Sequence, residues 1–199
     1  MIPDVDLQSL FSLEEPAGME PPLVPTTFFA SSLDFLAQFH RRKSEALQEI
    51  LDMQGWPDAK HYGEHAEATA FIIALHSDYN LELQVRCHQA LLANALKGEG
   101  NLAFIAFLTD RILCNKGMHQ RFGTQIREAD NGCFVPKAIE NADKIEEWRQ
   151  LAQLGETMAD YYQRVNDGDL VLYRPIMNGY VEELELQKQN KILEFPKKN

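Results

Sequence analysis

Around Gly123 the chain sets Gln120, Arg121, Phe122, Thr124 and Gln125 in one block, and the earlier run Phe107-Leu-Thr-Asp-Arg111 ends in a carboxylate and a guanidinium. Arginine presents paired donors that match carboxylates or phosphates, glutamine and threonine both donate and accept, and glycine lets backbone approach a ligand closely. Upstream, Leu75-His-Ser-Asp78 adds an imidazole that exchanges protons near neutrality and a carboxylate that orients it. The pattern predicts a pocket with His76, Asp78 and Asp110 as its catalytic groups, His76 taking part in proton transfer and Asp78 or Asp110 positioning it, while Arg111, Gln120, Arg121, Thr124 and Gln125 hold a polar or anionic small molecule. Hydrolysis or group transfer suits that inventory. The rival expectation is a noncatalytic protein-interaction or ligand-binding module, in which the same polar network fixes the shape of a loop and residues 1–30 meet a protein partner.

Each residue also has a plainer reading. His76 and Asp78 fit a satisfied histidine and a cap for the next helix, and Asp110 and Arg111 fit a brace between helices, since a buried charge needs compensating partners. Asp110 and Arg111 point about 100° apart on a helix, so they need not pair with each other. Arg149 is expected to turn back toward an acidic site residue, and His119 reads as a surface histidine. His61-Tyr-Gly-Glu-His65 places two histidines four apart but lacks the glutamate position of a zinc-hydrolase motif, and Gly63 weakens a continuous helix. No metal site is assigned. Gly98-Glu-Gly100 makes neither a phosphate loop nor a dinucleotide fingerprint, so no cofactor is identified. Cys114 reads as a packed small residue.

The elements that must position these groups follow from composition and period. The 199 residues, 45% of them hydrophobic, suffice for one core. The formal charge of -11 argues against a generic nucleic-acid surface. No apolar run reaches membrane-spanning length, and Cys87, Cys114 and Cys133 are too few and too far apart for a disulfide scaffold, so a soluble cytoplasmic protein is expected. The expected fold is mainly α: a proline-rich extended arm over 1–30, a helical core over 31–165 and an extension over 166–199 packed on it. Helices are predicted after Ser31-Ser32 as far as Trp56-Pro57, over Glu64–Leu75, from Asn80 to Gly98, from Asn101 to about Asn115, from Asn141 to Gly155, and after Thr157. The stretch 117–136 reads as loops. Asn166-Asp-Gly168 reads as a turn, Leu170–Tyr173 as a short strand and Tyr180–Ile192 as a terminal helix.

Trp56-Pro57, Leu75–Asp78, Leu108–Arg111, Gln120–Gln125 and the stretch from Asp143 through Arg149 to Leu154-Gly155 resemble, in this order, the landmarks of the bacterial DUF6624 family over roughly residues 47–165. The resemblance implies a shared site without naming its chemistry. Leu75 and Ser77 stand where the family commonly has glutamine and alanine. Phe122 stands where it usually has tyrosine, which removes a phenolic proton donor.

Overall fold

The computed structural model describes residues 6–14, 33–130 and 133–167, with side chains described for all of these except 33–40. Ten elements follow along them: α1 (Leu7–Leu10), α2 (Leu33–Gln54), α3 (Ala59–Tyr62), α4 (Glu64–Leu75), α5 (Leu81–Ala95), α6 (Leu102–Asn115), β1 (Ile126–Glu128), β2 (Phe134–Pro136), α7 (Ile145–Leu151) and α8 (Met158–Asn166). The fold is mainly α, with one two-stranded antiparallel sheet. Among the described residues no helix is long and apolar enough to cross a membrane.

Helix starts follow local chemistry. Asn80, Asn101 and Thr157 each accept the backbone N–H three residues on, at 3.0, 3.1 and 3.1 Å, satisfying donors that the first turn leaves open. α4 spans the predicted Glu64–Leu75. Gly63, at φ 86°, breaks α3 from α4, so His61 and His65 sit on separate helices.

α6 is the axis of the core. Residues 102–110, Ile112 and Leu113 are all buried, the signature of a helix covered on every side. α4 and α5 pack against it, and α2 packs on α4 and α5. Phe71 of α4 stacks on Phe104 of α6 with centroids 4.2 Å apart.

Three stretches depart from expectation. The expected loops of 117–136 contain the β1–β2 hairpin, paired Ile126 to Pro136 and Glu128 to Phe134. Three-residue, half-exposed strands are too short to show an alternating period. Asn166, expected to open a turn with Asp167 and Gly168, is the last residue of α8, with Asp167 as its cap and Gly168 outside the described residues; its amide accepts from Phe134 N at 2.7 Å and donates to Phe134 O at 2.9 Å, fastening the hairpin. Within the expected extended arm, residues 7–10 form a helical turn with Leu7, Leu10 and Phe11 buried. Its three prolines beyond residue 20, the Ser31-Ser32 cap, the Leu170–Tyr173 strand and the terminal helix lie outside the described residues.

One buried group gives the core a pH dependence. His88 of α5 is 2% exposed and lies 3.0 Å from the Thr109 hydroxyl of α6. Thr109 donates its own hydrogen to Ile105 O at 2.7 Å, so His88 Nε2 must be the donor to it. Burial, with the charge of Lys116 adding, lowers the His88 pKa to about 4. An unfolded histidine titrates near 6.5, so the unfolded state binds the extra proton between these values. Stability should therefore be full above about pH 6.5 and fall by up to about 1.4 kcal/mol per unit down to about pH 4. Urea denaturation across that window checks this, and His88→Gln should flatten the dependence.

Candidate functional site

The loop from Gln120 to Gln125 is built around one carboxylate. Asp110, fully buried in α6, accepts the backbone N–H groups of Arg121 at 2.7 Å, Phe122 at 3.0 Å and Thr124 at 2.9 Å. It also accepts the Thr124 hydroxyl at 2.9 Å. Thr124 Oγ1 in turn accepts Gln125 Nε2 at 3.1 Å, which leaves its hydrogen for Asp110. Burial pushes the Asp110 carboxyl up, against the downward pull of Phe122, Thr124 and Arg121 N–H and the Thr124 hydroxyl. Every group facing it is a donor, so the ionised form is the one this shell accommodates.

The loop's other polar groups are equally engaged. Gln120 accepts Gln125 N at 2.7 Å and donates to Gln125 O at 2.9 Å, closing the loop on itself. Arg149 Nη1 donates to Phe122 O at 2.8 Å, Tyr162 to Gly123 O at 3.0 Å and Tyr161 to Thr124 O at 3.0 Å. Arg149 therefore reaches carbonyls rather than the expected acid, and its remaining donors go to Glu156 O and Thr157 O. Gly123 sits at φ 68°, and a Cβ there would meet Ile145 Cδ1 at 2.9 Å. Its close approach serves packing under α7 and α8.

Arg111 carries the chain outward. Its Nη1 donates to Gln125 Oε1 at 3.0 Å, and its Nε donates to Asp78 Oδ1 at 2.7 Å while Nη2 pairs with Oδ2. Asn115 and Gln84 also donate to Asp78 Oδ1, at 2.9 and 3.3 Å. Partial burial works to raise the Asp78 carboxyl, but Arg111, Asn115 and Gln84 outweigh it and hold it below its ordinary value. A continuous path thus links half-exposed Asp78 through Arg111, Gln125 and Thr124 to buried Asp110. His76 is half-buried at the C-terminal cap of α4, while the carboxylate of Asp78 faces Arg111.

Arg121 points the other way. Buried and ion-paired with Glu140 at 2.7 Å, it also donates to Ser9 O, Leu10 O and Ser12 O at 3.2, 2.9 and 3.3 Å, and to Glu14 O at 3.5 Å. The Trp148 ring lies 5.7 Å from its guanidinium carbon, and Phe11 meets Phe122 with centroids 5.4 Å apart. A phenol at position 122 would carry a hydroxyl into this buried apolar contact.

A separate cleft of about 660 Å³ is lined by Glu64, His65, Glu67, Glu99, Asn101 and Phe104, among others. Glu67 is 5% exposed and accepts Trp56 Nε1 at 3.2 Å. Burial raises its carboxyl pKa, and the charges of Asp58 and Glu64 act in the same direction. Among the described residues no cluster of three or more histidine, cysteine or acidic side chains is arranged to hold a metal. Burial, then the Asp110 charge, push the Cys114 thiol up to about 12, which suits a packed residue.

Asp78, Asp110, Arg111, Gln120, Thr124 and Gln125 are thus brought together by α6 and the loop, and Arg121 joins them through its backbone N–H. Gln84, Asn115, Glu140, Tyr161 and Tyr162 were missed. Asn115 follows Arg111 by four, and Gln84 shares the face of Cys87, His88 and Leu91, so the first two left a readable signal. The profile of a family described as "Family of unknown function (DUF6624)" matches residues 25–170. No curated protein and no solved structure matches the chain.

The two carboxylates should respond differently to substitution. Asp110→Asn sets an amide N–H₂ against backbone donors and should cost about 3–5 kcal/mol in denaturant titration at pH 7. Asp78→Asn, at a half-exposed pair, should cost about 1 kcal/mol or less. Because the folded pKa of Asp78 is lowered, that smaller difference should persist above about pH 4 and vanish as the pH falls through the folded value.

Proposed function

We propose, from the premise that this chain belongs to the DUF6624 family, that it is a noncatalytic protein-interaction module whose working surface is the face around Arg121, Phe122 and Trp148. One observation carries the reading. Arg121 holds no anionic ligand geometry open; its guanidinium gathers the main-chain carbonyls of Ser9, Leu10, Ser12 and Glu14. That is a way of gripping polypeptide backbone. The groups expected to perform chemistry support the same reading by their saturation: Asp110 faces four donors and Arg111 is forked onto Asp78.

A second reading, a hydrolase or group transferase for a polar small molecule, draws on the cleft at Glu67. A buried carboxyl with a raised pKa, in a cleft that His65 also lines, is suited to proton exchange. Its mark would be thermal stabilisation by one class of small molecule that disappears in Glu67→Gln.

The module reading requires the segment over Arg121 to open without global unfolding. Hydrogen–deuterium exchange should show the amides of Leu10 and Phe11 exchanging at least about 100-fold faster than those of Ile105–Leu108 in α6. Equal protection would make residues 6–14 an inseparable part of the core and sink the proposal.

A further inference from the structure

Residues 6–14 lie on the core as a short peptide would. Leu7, Leu10 and Phe11 are buried at i, i+3 and i+4, while Asp6, Gln8, Ser9 and Glu14 are exposed. A single helical turn has no stability of its own in water, so this turn exists because its seat holds it. Much of the grip is on main chain: Arg121 takes four carbonyls and Lys116 Nζ takes Leu13 O at 3.2 Å. Those bonds are blind to side-chain identity, so any segment of the right shape can make them.

The seat and its occupant differ in one telling respect. Arg121, Phe122, Glu140, Trp148 and Leu151 all fall within the family match over 25–170, whereas residues 6–14 precede it. The fit is also incomplete: a cavity of about 490 Å³ remains between Asp6, Ser9 and Ser12 on one side and Lys144, Trp148 and Leu151 on the other. Charge is complementary, with Lys116 and Lys144 beside a segment carrying Asp6 and Glu14, while the charge of Arg121 is met by Glu140.

Building on the module reading above, we propose that residues 6–14 are a displaceable plug, and that the groove beneath takes an acidic, amphipathic helical turn from another protein. That turn would carry aliphatic anchors at i and i+3 and an aromatic at i+4. The plug, joined to α2 through residues 15–32, competes from a high effective concentration and keeps the groove closed to weak binders. A partner gains entry by filling the space that the plug leaves.

The test uses a fluorescein-labelled peptide with the sequence of residues 4–15, titrated by anisotropy into the native chain and into full-length Leu7→Asp and Phe11→Ala variants. Both variants weaken the plug and leave the groove intact. The peptide should bind each variant about tenfold or more tighter than the native chain, the discount that an internal competitor imposes. A peptide with Phe11→Ala should lose that binding. Circular dichroism melts establish that each variant is folded. If both variants unfold, the segment is core and the plug proposal is overturned. A scrambled peptide binding equally well would overturn the stated partner chemistry while leaving the interaction surface standing. Failure of every peptide to bind a folded variant would overturn plug and surface together.

Discussion

The carboxylate of Asp110 is the constraint on which the rest depends. A buried ionised group requires donors around it, and the loop of Gln120–Gln125 supplies them. Three of the loop's amides and the Thr124 hydroxyl converge on it. Turning that many N–H groups toward one point forces the loop into a tight arc, and the left-handed backbone at Gly123 completes it. The arc then turns its carbonyls outward, where Arg149, Tyr161 and Tyr162 receive them. α7 and α8 are therefore positioned by the same charge that orders the loop.

The arginines complete a consistent electrostatic picture. Arg121 is matched by Glu140, Arg111 by Asp78 and Arg164 by Glu156, and each also has neighbouring polar or aromatic groups. Arg149 is buried among carbonyls, and burial lowers its pKa while Glu146 and Glu156 act to raise it. In an acidic chain these guanidinium groups serve as cross-links of fixed geometry. Their planar forks suit that task, since one side chain can bind two or three acceptors lying on different segments.

The helices and much of the polar cluster could be read from the residues alone. Asparagine or threonine caps mark α5, α6 and α8, and Gly63 marks the start of α4; those local signals suffice because each helix start is decided within a few residues. The identity of the cluster was also legible, because polar groups at Asp110 and around Gly123 interrupt apolar surroundings. Its role was not. The same residue types build a substrate pocket or an internal brace, and only three-dimensional placement decides whether the donors face solvent or one another. The helical turn at Leu7–Leu10 was hidden for a related reason: proline-rich surroundings favour extended chain, and its partners lie more than a hundred residues away. Asp6, which caps it through Gln8 N and Ser9 N, was its one local sign.

That last separation has a consequence during synthesis. Leu7, Leu10 and Phe11 leave the ribosome early, but the surface that buries them includes Arg121 and Phe122. At about 5–20 residues per second the apolar turn waits roughly five to twenty seconds for its seat to be translated. Throughout that interval Leu7, Leu10 and Phe11 are held on a segment with no stable turn of its own, and docking onto Arg121 and Phe122 is what buries them.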